Sequence, residues 1–195
     1  MTLDNEKTYP AICFQILDEL KRKLAPYLSY HSYNHIIDVA NVCDKYIRLY
    51  NIDDNMAKLI RIAAICHDFG YTVSPIDHEE QSIKLIEPIL KPVLTEAEIE
   101  LVNGMIRATK IPQQPKTFYD KILADADLDY LGRSDYNKLS EYLHQEFLHF
   151  GVINTEREWL DMQIKFLENH KYHTLYAKWN RRKLKLRKLK ELKAR

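Results

Sequence analysis

The sequence predicts an all-α fold, and three observations support that prediction. Glycine accounts for only 4 of 195 residues, whereas hydrophobic residues make up 46% of the chain. Apolar side chains recur at helical spacing along most of its length. Short stretches rich in proline, asparagine or aspartate separate the periodic segments. A chain of this length can bury one sizeable core, so we expect a single compact domain of about eight helices over residues 1–195.

The helical segments can be placed in chain order from their periodicity and end signals. They span approximately residues 8–25, 36–50, 54–69, 78–90, 95–109, 117–131, 134–149, 155–169 and 172–193. Asp53 or Asp54 is a suitable N-cap for the third segment, and Gly70 is expected to end it in the left-handed conformation. Pro88 and Pro92 are expected to interrupt or end the fourth. Capping boxes are predicted at Thr95–Glu98 and Thr155–Glu158.

Composition excludes several classes of protein. No apolar run reaches about 18 residues, so no transmembrane segment is expected. The stretch Met1–Lys7 is polar and acidic, unlike a signal peptide. The cysteines Cys13, Cys43 and Cys66 form an odd set without C-x-x-C spacing, which is typical of free thiols in a reducing compartment. We therefore expect a cytoplasmic protein.

The charge is distributed unevenly, although the net charge is only +1. Residues 178–195 contain ten of the 29 Lys and Arg residues and one of the 28 acids. We therefore distinguish a core at about 30–132, C-terminal helices at 133–177 and a basic helical tail at 178–195. Leucines alternate with the cations of the tail, which predicts an amphipathic helix. Docking of these leucines on the body is the simpler interpretation, and contact with nucleic acid or an anionic membrane surface is the alternative.

The dipeptide His67-Asp68 ends the most apolar helix, Leu59–Cys66. An imidazole beside a carboxylate at the end of a buried helix is costly unless a partner uses both groups. The simplest interpretation is a histidine interacting with the helix dipole next to a solvated acid. The alternative interpretation, that the pair is functional, requires partner residues elsewhere in the chain.

Two further clusters supply such partners. His31 and His35 are four residues apart, so they share one face if the segment is helical. Asp125, Asp127 and Asp129 occur in an otherwise apolar segment, Ile122–Leu131, so some of these acids should lie against the core. Buried carboxylates need a partner, and a metal ion is the most direct one. Two histidines and two carboxylates on separate helices suit divalent ions such as Zn, Mn, Fe, Ni, Co or Mg.

At these residues the chain resembles the HD superfamily of metal-dependent phosphohydrolases, which has an ordered H…HD…D signature. The resemblance extends from about Tyr30 to Leu131 and implies a helical bundle like that of the HD domain. Text shared with uncharacterised bacterial members reads His67-Asp68-Phe69-Gly70-Tyr71, Ala108-Thr109-Lys110 and Asp125-Ala126-Asp127-Leu128-Asp129-Tyr130-Leu131-Gly132.

The resemblance implies that His35, His67, Asp68 and Asp127 hold one divalent ion. Asp125 is an alternative to Asp127, because this sequence has one residue fewer here than the commonest family pattern. Asp68 is then also a catalytic residue, since the ion it holds activates the attacking water. In several branches a histidine four residues before the first ligand is a general acid, which corresponds here to His31.

Other residues near these motifs have less specific roles. His78 and Glu79 could lie beside the metal ligands as supporting groups or proton carriers, and His78 could equally be only the first residue of its helix. Arg107 and Lys110 are candidate phosphate-binding residues, or ordinary solvated cations. Tyr30, Tyr71 and Tyr130 could stack on a base or sugar, although packing is the preferred interpretation for any one of 13 tyrosines.

The resemblance therefore implies an enzyme that hydrolyses a small phosphate ester, such as a nucleotide, with a metal-activated water. A metal- or nucleotide-binding sensor without turnover is the first alternative. A di-iron oxygenase is the second, because some HD relatives carry two irons.

Overall fold

The computed structural model describes residues 2–195 and confirms the all-α prediction. The ten α-helices over these residues are α1 Ala11–Lys23, α2 Tyr33–Leu49, α3 Asp54–Cys66, α4 His78–Leu90, α5 Glu96–Arg107, α6 Phe118–Asp127, α7 Tyr136–His149, α8 Glu156–Asn169, α9 Leu175–Asn180 and α10 Arg182–Lys193. Short 3-10 helices occur at Glu6–Thr8, Phe69–Thr72 and Asp129–Gly132. Over residues 2–195 no helix is both long enough and apolar enough to cross a membrane.

The chain divides into two compact units. Unit 1 comprises the residues through Ala25 together with His31–Asp127, and unit 2 comprises Pro26–Tyr30 together with Leu128–Arg195. The single domain inferred from chain length stays a prediction.

Helix α3 is the centre of unit 1 and packs against α1, α2, α4, α5 and α6. It begins where the Asp53 carboxylate accepts a hydrogen bond from the Met56 backbone N–H at 3.0 Å, as expected of an N-cap. Every residue from Leu59 to Cys66 is buried, so the helix is surrounded by other elements. This burial fixes the position of the His67-Asp68 pair that follows it.

The expected role of Gly70 was wrong. Gly151 is the positive-φ glycine over residues 2–195, and Gly70 instead lies in the 3-10 helix Phe69–Thr72. A Cβ atom on Gly70 would lie 2.0 Å from the backbone oxygen of His78, so glycine is needed for close approach of α4. The Ser82 hydroxyl joins the same segments, because it accepts from the Gly70 N–H at 2.7 Å and donates to the His67 carbonyl at 2.8 Å.

The other end signals had mixed outcomes. Both capping boxes are confirmed, with reciprocal hydrogen bonds between Thr95 and Glu98 and between Thr155 and Glu158. Helix α4 continues through Pro88 to Leu90. Pro88 lacks the backbone N–H that would bond to the carbonyl of residue 84, and the helix ends two residues later, before Pro92.

Unit 2 contains helices α7 to α10. Its buried apolar cluster consists of Tyr30, Leu128, Tyr130, Leu131, Tyr136, Leu167, Tyr172, Ala177 and Leu192. The segment predicted as one helix, 172–193, is two, with the junction at Arg181. Arg181 donates to both carboxylate oxygens of Asp129, at 2.7 and 3.0 Å. The backbone of Arg181 also lies against Gly132, where a Cβ atom would be 2.4 Å from the Arg181 oxygen. The basic tail therefore docks on unit 2.

Candidate metal centre

Two histidine side chains converge in unit 1. His35 lies in the first turn of α2 and His67 directly follows α3, and their Nε2 atoms are 3.4 Å apart. The Nδ1 atom of His67 is 2.8 Å from the carbonyl oxygen of Ala64. A carbonyl can only accept, so Nδ1 carries the hydrogen and the lone pair of the neutral ring is on Nε2. This hydrogen bond leaves Nε2 of His67 directed towards His35.

Two carboxylates complete the cluster. The Asp68 Oδ2 atom is 3.3 Å from His67 Nε2 and 3.5 Å from His35 Nε2. The Asp127 Oδ1 atom is 3.1 Å from His35 Nε2 and 3.6 Å from His67 Nε2. Donor atoms held about 2.0–2.2 Å from one ion lie roughly 3 to 3.5 Å from one another. The spacing of the His35, His67 and Asp127 donors therefore fits a shared metal ion, and Asp68 Oδ2 lies beside the same two histidine nitrogens.

The electrostatics of the cluster support the same interpretation. Asp68 Oδ2 is buried and has no hydrogen-bond partner, which is costly for a carboxylate oxygen unless a cation binds it. Burial raises the pKa of Asp68, but His67, His31 and His78 lower it further, so the carboxyl titrates well below its usual range. Burial also raises the pKa of Asp127, but His35 and His67 lower it by more, so the pKa falls to about 2. Both carboxylates are therefore ionised at neutral pH.

The imidazole of His67 responds in the opposite sense. Burial lowers its pKa, but the carboxylates of Asp68 and Asp127 together raise it more, so the net pKa is well above the usual value. The same two carboxylates that favour a proton on His67 would favour a divalent ion. Binding of that ion would displace the proton.

Of the three acids Asp125, Asp127 and Asp129, the structure brings only Asp127 into the cluster. His35, His67 and Asp127 form the candidate metal-binding group over residues 2–195, and Asp68 lies beside this group, next to the two histidines. Asp125 is fully buried but lies outside this group. Residues two apart on a helix differ by about 200°, so Asp125 and Asp127 cannot both point to the same ion from α6. Asp129 lies in unit 2 and binds Arg181.

The sequence pattern of the HD domain family matches residues 32–129, about half of the chain. This range contains the two histidines and two aspartates described above. The chain belongs to the HD domain family.

The chain is also similar to a longer protein. It is 26% identical, over 209 aligned positions, to a Dictyostelium discoideum protein described as a deoxynucleoside triphosphate triphosphohydrolase SAMHD1 homolog. The alignment covers 84% of this chain but 40% of that relative. The chain therefore spans less than half of the length of the relative it matches.

In this HD domain, a cluster of three rings lies beside the aspartate of the doublet. The Tyr71 ring contacts the rings of His31 and His78, with centroids 4.1 and 4.4 Å away, and the centroids of the two histidines are 6.1 Å apart. The Tyr71 hydroxyl is 3.0 Å from His31 Nε2. His78 Nε2 is 3.4 Å from Asp68 Oδ1 and 3.5 Å from Glu79 Oε1. His31, His78 and Glu79 are therefore grouped next to the candidate ligands, and His78 is also the first residue of α4; the roles of all three stay predictions.

The tyrosines divide between the two units. Tyr30 and Tyr130 are buried in the apolar cluster of unit 2, with ring centroids 5.4 Å apart, in agreement with packing. Tyr71 is the one that sequence reasoning assigned to packing and the structure places in the site. Its signal was its position three residues after Asp68, where the 3-10 helix turns the chain back towards the doublet.

Arg107 and Lys110 lie near the start of α4. The Arg107 guanidinium donates to both carboxylate oxygens of Glu80, at 2.7 and 3.2 Å, and Lys110 binds the Asp77 carboxylate. These ion pairs raise the pKa of both cations. Both acids flank the His78-Glu79 pair in the sequence, and both cations are exposed enough to exchange partners. Phosphate binding by Arg107 and Lys110 stays a prediction.

Proposed function

We propose that this chain is a metal-dependent phosphohydrolase that acts on a nucleotide or a related phosphate ester. One observation carries the proposal: His35, His67 and Asp127 form one group of possible metal ligands, and the buried Asp68 Oδ2, which has no hydrogen-bond partner, lies 3.5 and 3.3 Å from the Nε2 atoms of the two histidines. Membership of the HD domain family supports hydrolase chemistry. The named activity of the Dictyostelium relative supports a nucleotide substrate.

The four residues would hold one divalent ion, which could be Mn, Mg, Zn, Ni, Co or Fe. Their mixed imidazole and carboxylate donors suit any of these ions. When bound, such an ion lowers the pKa of a coordinated water and polarises a phosphoryl oxygen. The His67 Nδ1–H···O=C bond to Ala64 keeps Nε2 available throughout.

His31 is the proposed proton donor to the leaving oxygen of the substrate. Its Nε2 atom pairs with the Tyr71 hydroxyl, which fixes the plane of the imidazole ring and allows a proton to pass between the two groups. Tyr71 thereby positions His31. His78 pairs with the other carboxylate oxygen of Asp68, and Glu79 pairs with His78.

Arg107 and Lys110 would bind the phosphate groups of the substrate. A phosphate ester that approaches a site with two ionised carboxylates needs cationic partners to offset repulsion. Both cations already neutralise acids beside His78, so substrate phosphates would compete with Glu80 and Asp77 for them.

A substrate screen with matched variants tests the proposal. The chain is loaded in turn with Mg, Mn, Co, Ni and Zn and offered phosphomonoesters, cyclic nucleotides and nucleoside triphosphates. We expect turnover of at least one class, its loss in Asp68→Ala, and its retention in Asp161→Ala, which removes an exposed carboxylate on α8. Absence of turnover for every class, combined with a ligand-induced rise in melting temperature, would instead identify a sensor.

Metal analysis provides a second test. We expect one ion per chain, and its loss in Asp68→Ala. Two irons per chain would contradict the single-ion proposal and favour the oxygenase alternative.

A cytoplasmic location belongs to the same proposal. The free thiols of Cys13, Cys43 and Cys66 support it, because buried unpaired cysteines are typical of a reducing compartment.

A further inference from the structure

Helices α9 and α10 present a solvent-facing surface that the proposed reaction does not use. We call it the outer face, and its members are Leu175, Lys178, Trp179, Arg182, Lys183, Leu186 and Lys190. At 100° per residue these positions fall within an arc of about 140°. The junction at Arg181 keeps this register, because backbone hydrogen bonds from Arg181 to Ala177 and from Lys185 to Arg181 bridge it. The outer face is therefore one nearly continuous helical surface.

The opposite side of these helices is already occupied. Leu192 is part of the buried cluster of unit 2, and Leu189 packs against it. The ammonium of the buried Lys185 donates to the carbonyl oxygens of Leu167 and His170, at 2.9 and 2.5 Å, where α8 ends. These contacts fix which side of α10 points to solvent.

The outer face combines apolar side chains with high exposure. Trp179 is 81% exposed, Leu175 is 67% exposed and Leu186 is 46% exposed. Single exposed leucines are ordinary, but three large apolar groups in one helical row are not explained by folding. These side chains are exposed to water and are therefore available to contact another apolar surface.

The cations of the outer face have no acidic partners. Lys178, Arg182, Lys183 and Lys190 form no ion pair with any acid among residues 2–195. The acid of α10, Glu191, binds Lys188 and Arg187 outside this row. The outer face is thus uniformly positive, and its charge is complementary to an anionic surface.

We propose that the outer face docks on an anionic membrane surface. Cations beside exposed Trp and Leu on a helix lying flat are the pattern of an interfacial helix, in which lysine and arginine meet lipid phosphates and the apolar groups enter the acyl boundary. A single-stranded nucleic acid would use the cations and could stack a base on Trp179. It would leave Leu175 and Leu186 in water, so the apolar row favours the membrane.

Tryptophan fluorescence tests the depth of contact. The chain has two tryptophans, and the second, Trp159, is buried in unit 2. In a Trp159→Phe variant, emission therefore reports Trp179 alone. We expect a blue shift when vesicles of phosphatidylcholine with about 30% phosphatidylserine are added, and none with phosphatidylcholine alone. The Trp179→Phe variant should show no shift. An unchanged emission of Trp179 on anionic vesicles would overturn the proposal.

Vesicle co-sedimentation tests the charges. Replacing Lys178, Arg182, Lys183 and Lys190 by glutamine should weaken binding to the anionic vesicles at least about 100-fold, and Trp179→Ala should weaken it about tenfold. The matched control replaces four exposed lysines of unit 1, Lys7, Lys21, Lys84 and Lys116, and should change binding less than about threefold. Equal loss in both sets would show nonspecific attraction and contradict the proposal.

Competition with RNA distinguishes the other source of phosphate. Single-stranded RNA should bind the parent chain no more tightly than it binds the control variant of unit 1. Its affinity should not depend on Leu175 or Leu186. Tight RNA binding that is lost in Trp179→Ala, without vesicle binding, would replace the membrane by a nucleic acid.

Discussion

Two aspartates two residues apart, Asp127 and Asp129, have opposite environments. In unit 1 Asp127 faces the Nε2 atoms of His35 and His67 and has no arginine or lysine partner among residues 2–195. In unit 2 Asp129 accepts two hydrogen bonds from the planar guanidinium of Arg181. An arginine fork satisfies a buried carboxylate completely, whereas imidazole nitrogens leave room for a cation. The partner, and not the residue type, therefore separates a structural carboxylate from a candidate metal ligand.

A contrast of partners also occurs within unit 1, between Asp44 and Asp68, although each has one buried carboxylate oxygen without a hydrogen-bond partner. The buried carboxylate of Asp44 accepts a hydrogen bond from Arg61 at 2.8 Å and joins α2 to α3. Asp68 is equally buried, but it meets histidines alone. Each substitution below should affect either chemistry or stability, according to this distinction.

The largest effect is expected from Asp127→Ala. It should reduce turnover roughly 1000-fold and remove the metal, because the ion loses a ligand in a site with few replacements. The free energy of unfolding should fall little, since no arginine partner is stranded. Metal content and turnover are measured together for this variant and for Asp125→Ala. Loss of metal in Asp125→Ala alone would reverse the choice of ligand.

The converse is expected from Arg181→Met. This change strands the buried Asp129 carboxylate, so the free energy of unfolding should fall by about 3 kcal/mol. Metal content and turnover should stay within about twofold of the parent chain. Denaturant unfolding measures the loss, and the double variant Arg181→Met/Asp129→Asn should recover part of it. A change below about 0.5 kcal/mol would show that Arg181 does not stabilise the fold.

The sequence predicted the helices better than their junctions. Periodicity and capping residues such as Thr95 and Thr155 are local signals, so the segments they define were placed within a few residues. The break at Arg181 was missed because its cause, the pairing with Asp129, lies 52 residues away in the chain. Gly70 was misread for a similar reason. Position 70 needs glycine because the backbone of His78 lies against it, and a contact eight residues along the chain is not visible in local sequence signals.

The candidate site was predictable in part. His35, His67, Asp68 and Asp127 were predicted from an ordered pattern of residues whose chemistry is distinctive, although their role as ligands stays a prediction. Tyr71 was named together with Tyr30 and Tyr130 but assigned to packing, because tyrosine is common in this chain and its ring contacts depend on the path of the 3-10 helix. The sequence favoured Asp127 and left Asp125 as the alternative, and α6 in three dimensions brings Asp127, and not Asp125, into the group with His35 and His67.

A smaller effect is expected from Tyr71→Phe, which sharpens the comparison within the site. Loss of the hydroxyl beside His31 Nε2 should lower kcat about tenfold for nucleotide substrates, whose leaving oxygen needs a proton. Turnover of p-nitrophenyl phosphate should change less than about twofold, because its leaving group departs without one. Tyr119→Phe is the control. An equal loss on both substrates would mean that Tyr71 only supports packing.

The smallest effect concerns Lys185, a buried cation of unit 2 that is paired with carbonyls instead of a carboxylate. Burial, aided by Arg182, lowers its pKa from 10.5 to about 8. Between pH 8 and 10.5, Lys185 is therefore protonated to a greater extent in the unfolded chain than in the folded chain. Its contribution to the free energy of unfolding thus rises with pH over that window.

Below pH 8 the ammonium is present in both states and the full penalty for burying it remains. The unfolding free energy of the parent chain, measured relative to Lys185→Met, should thus rise by about 1 to 2 kcal/mol from pH 8 to 10. Denaturant titrations at several pH values measure this difference. The exposed Lys165→Met variant should show no such dependence, because its ammonium is solvated in both states. A flat difference for Lys185→Met would mean that the carbonyls of Leu167 and His170 stabilise the ammonium as well as water does.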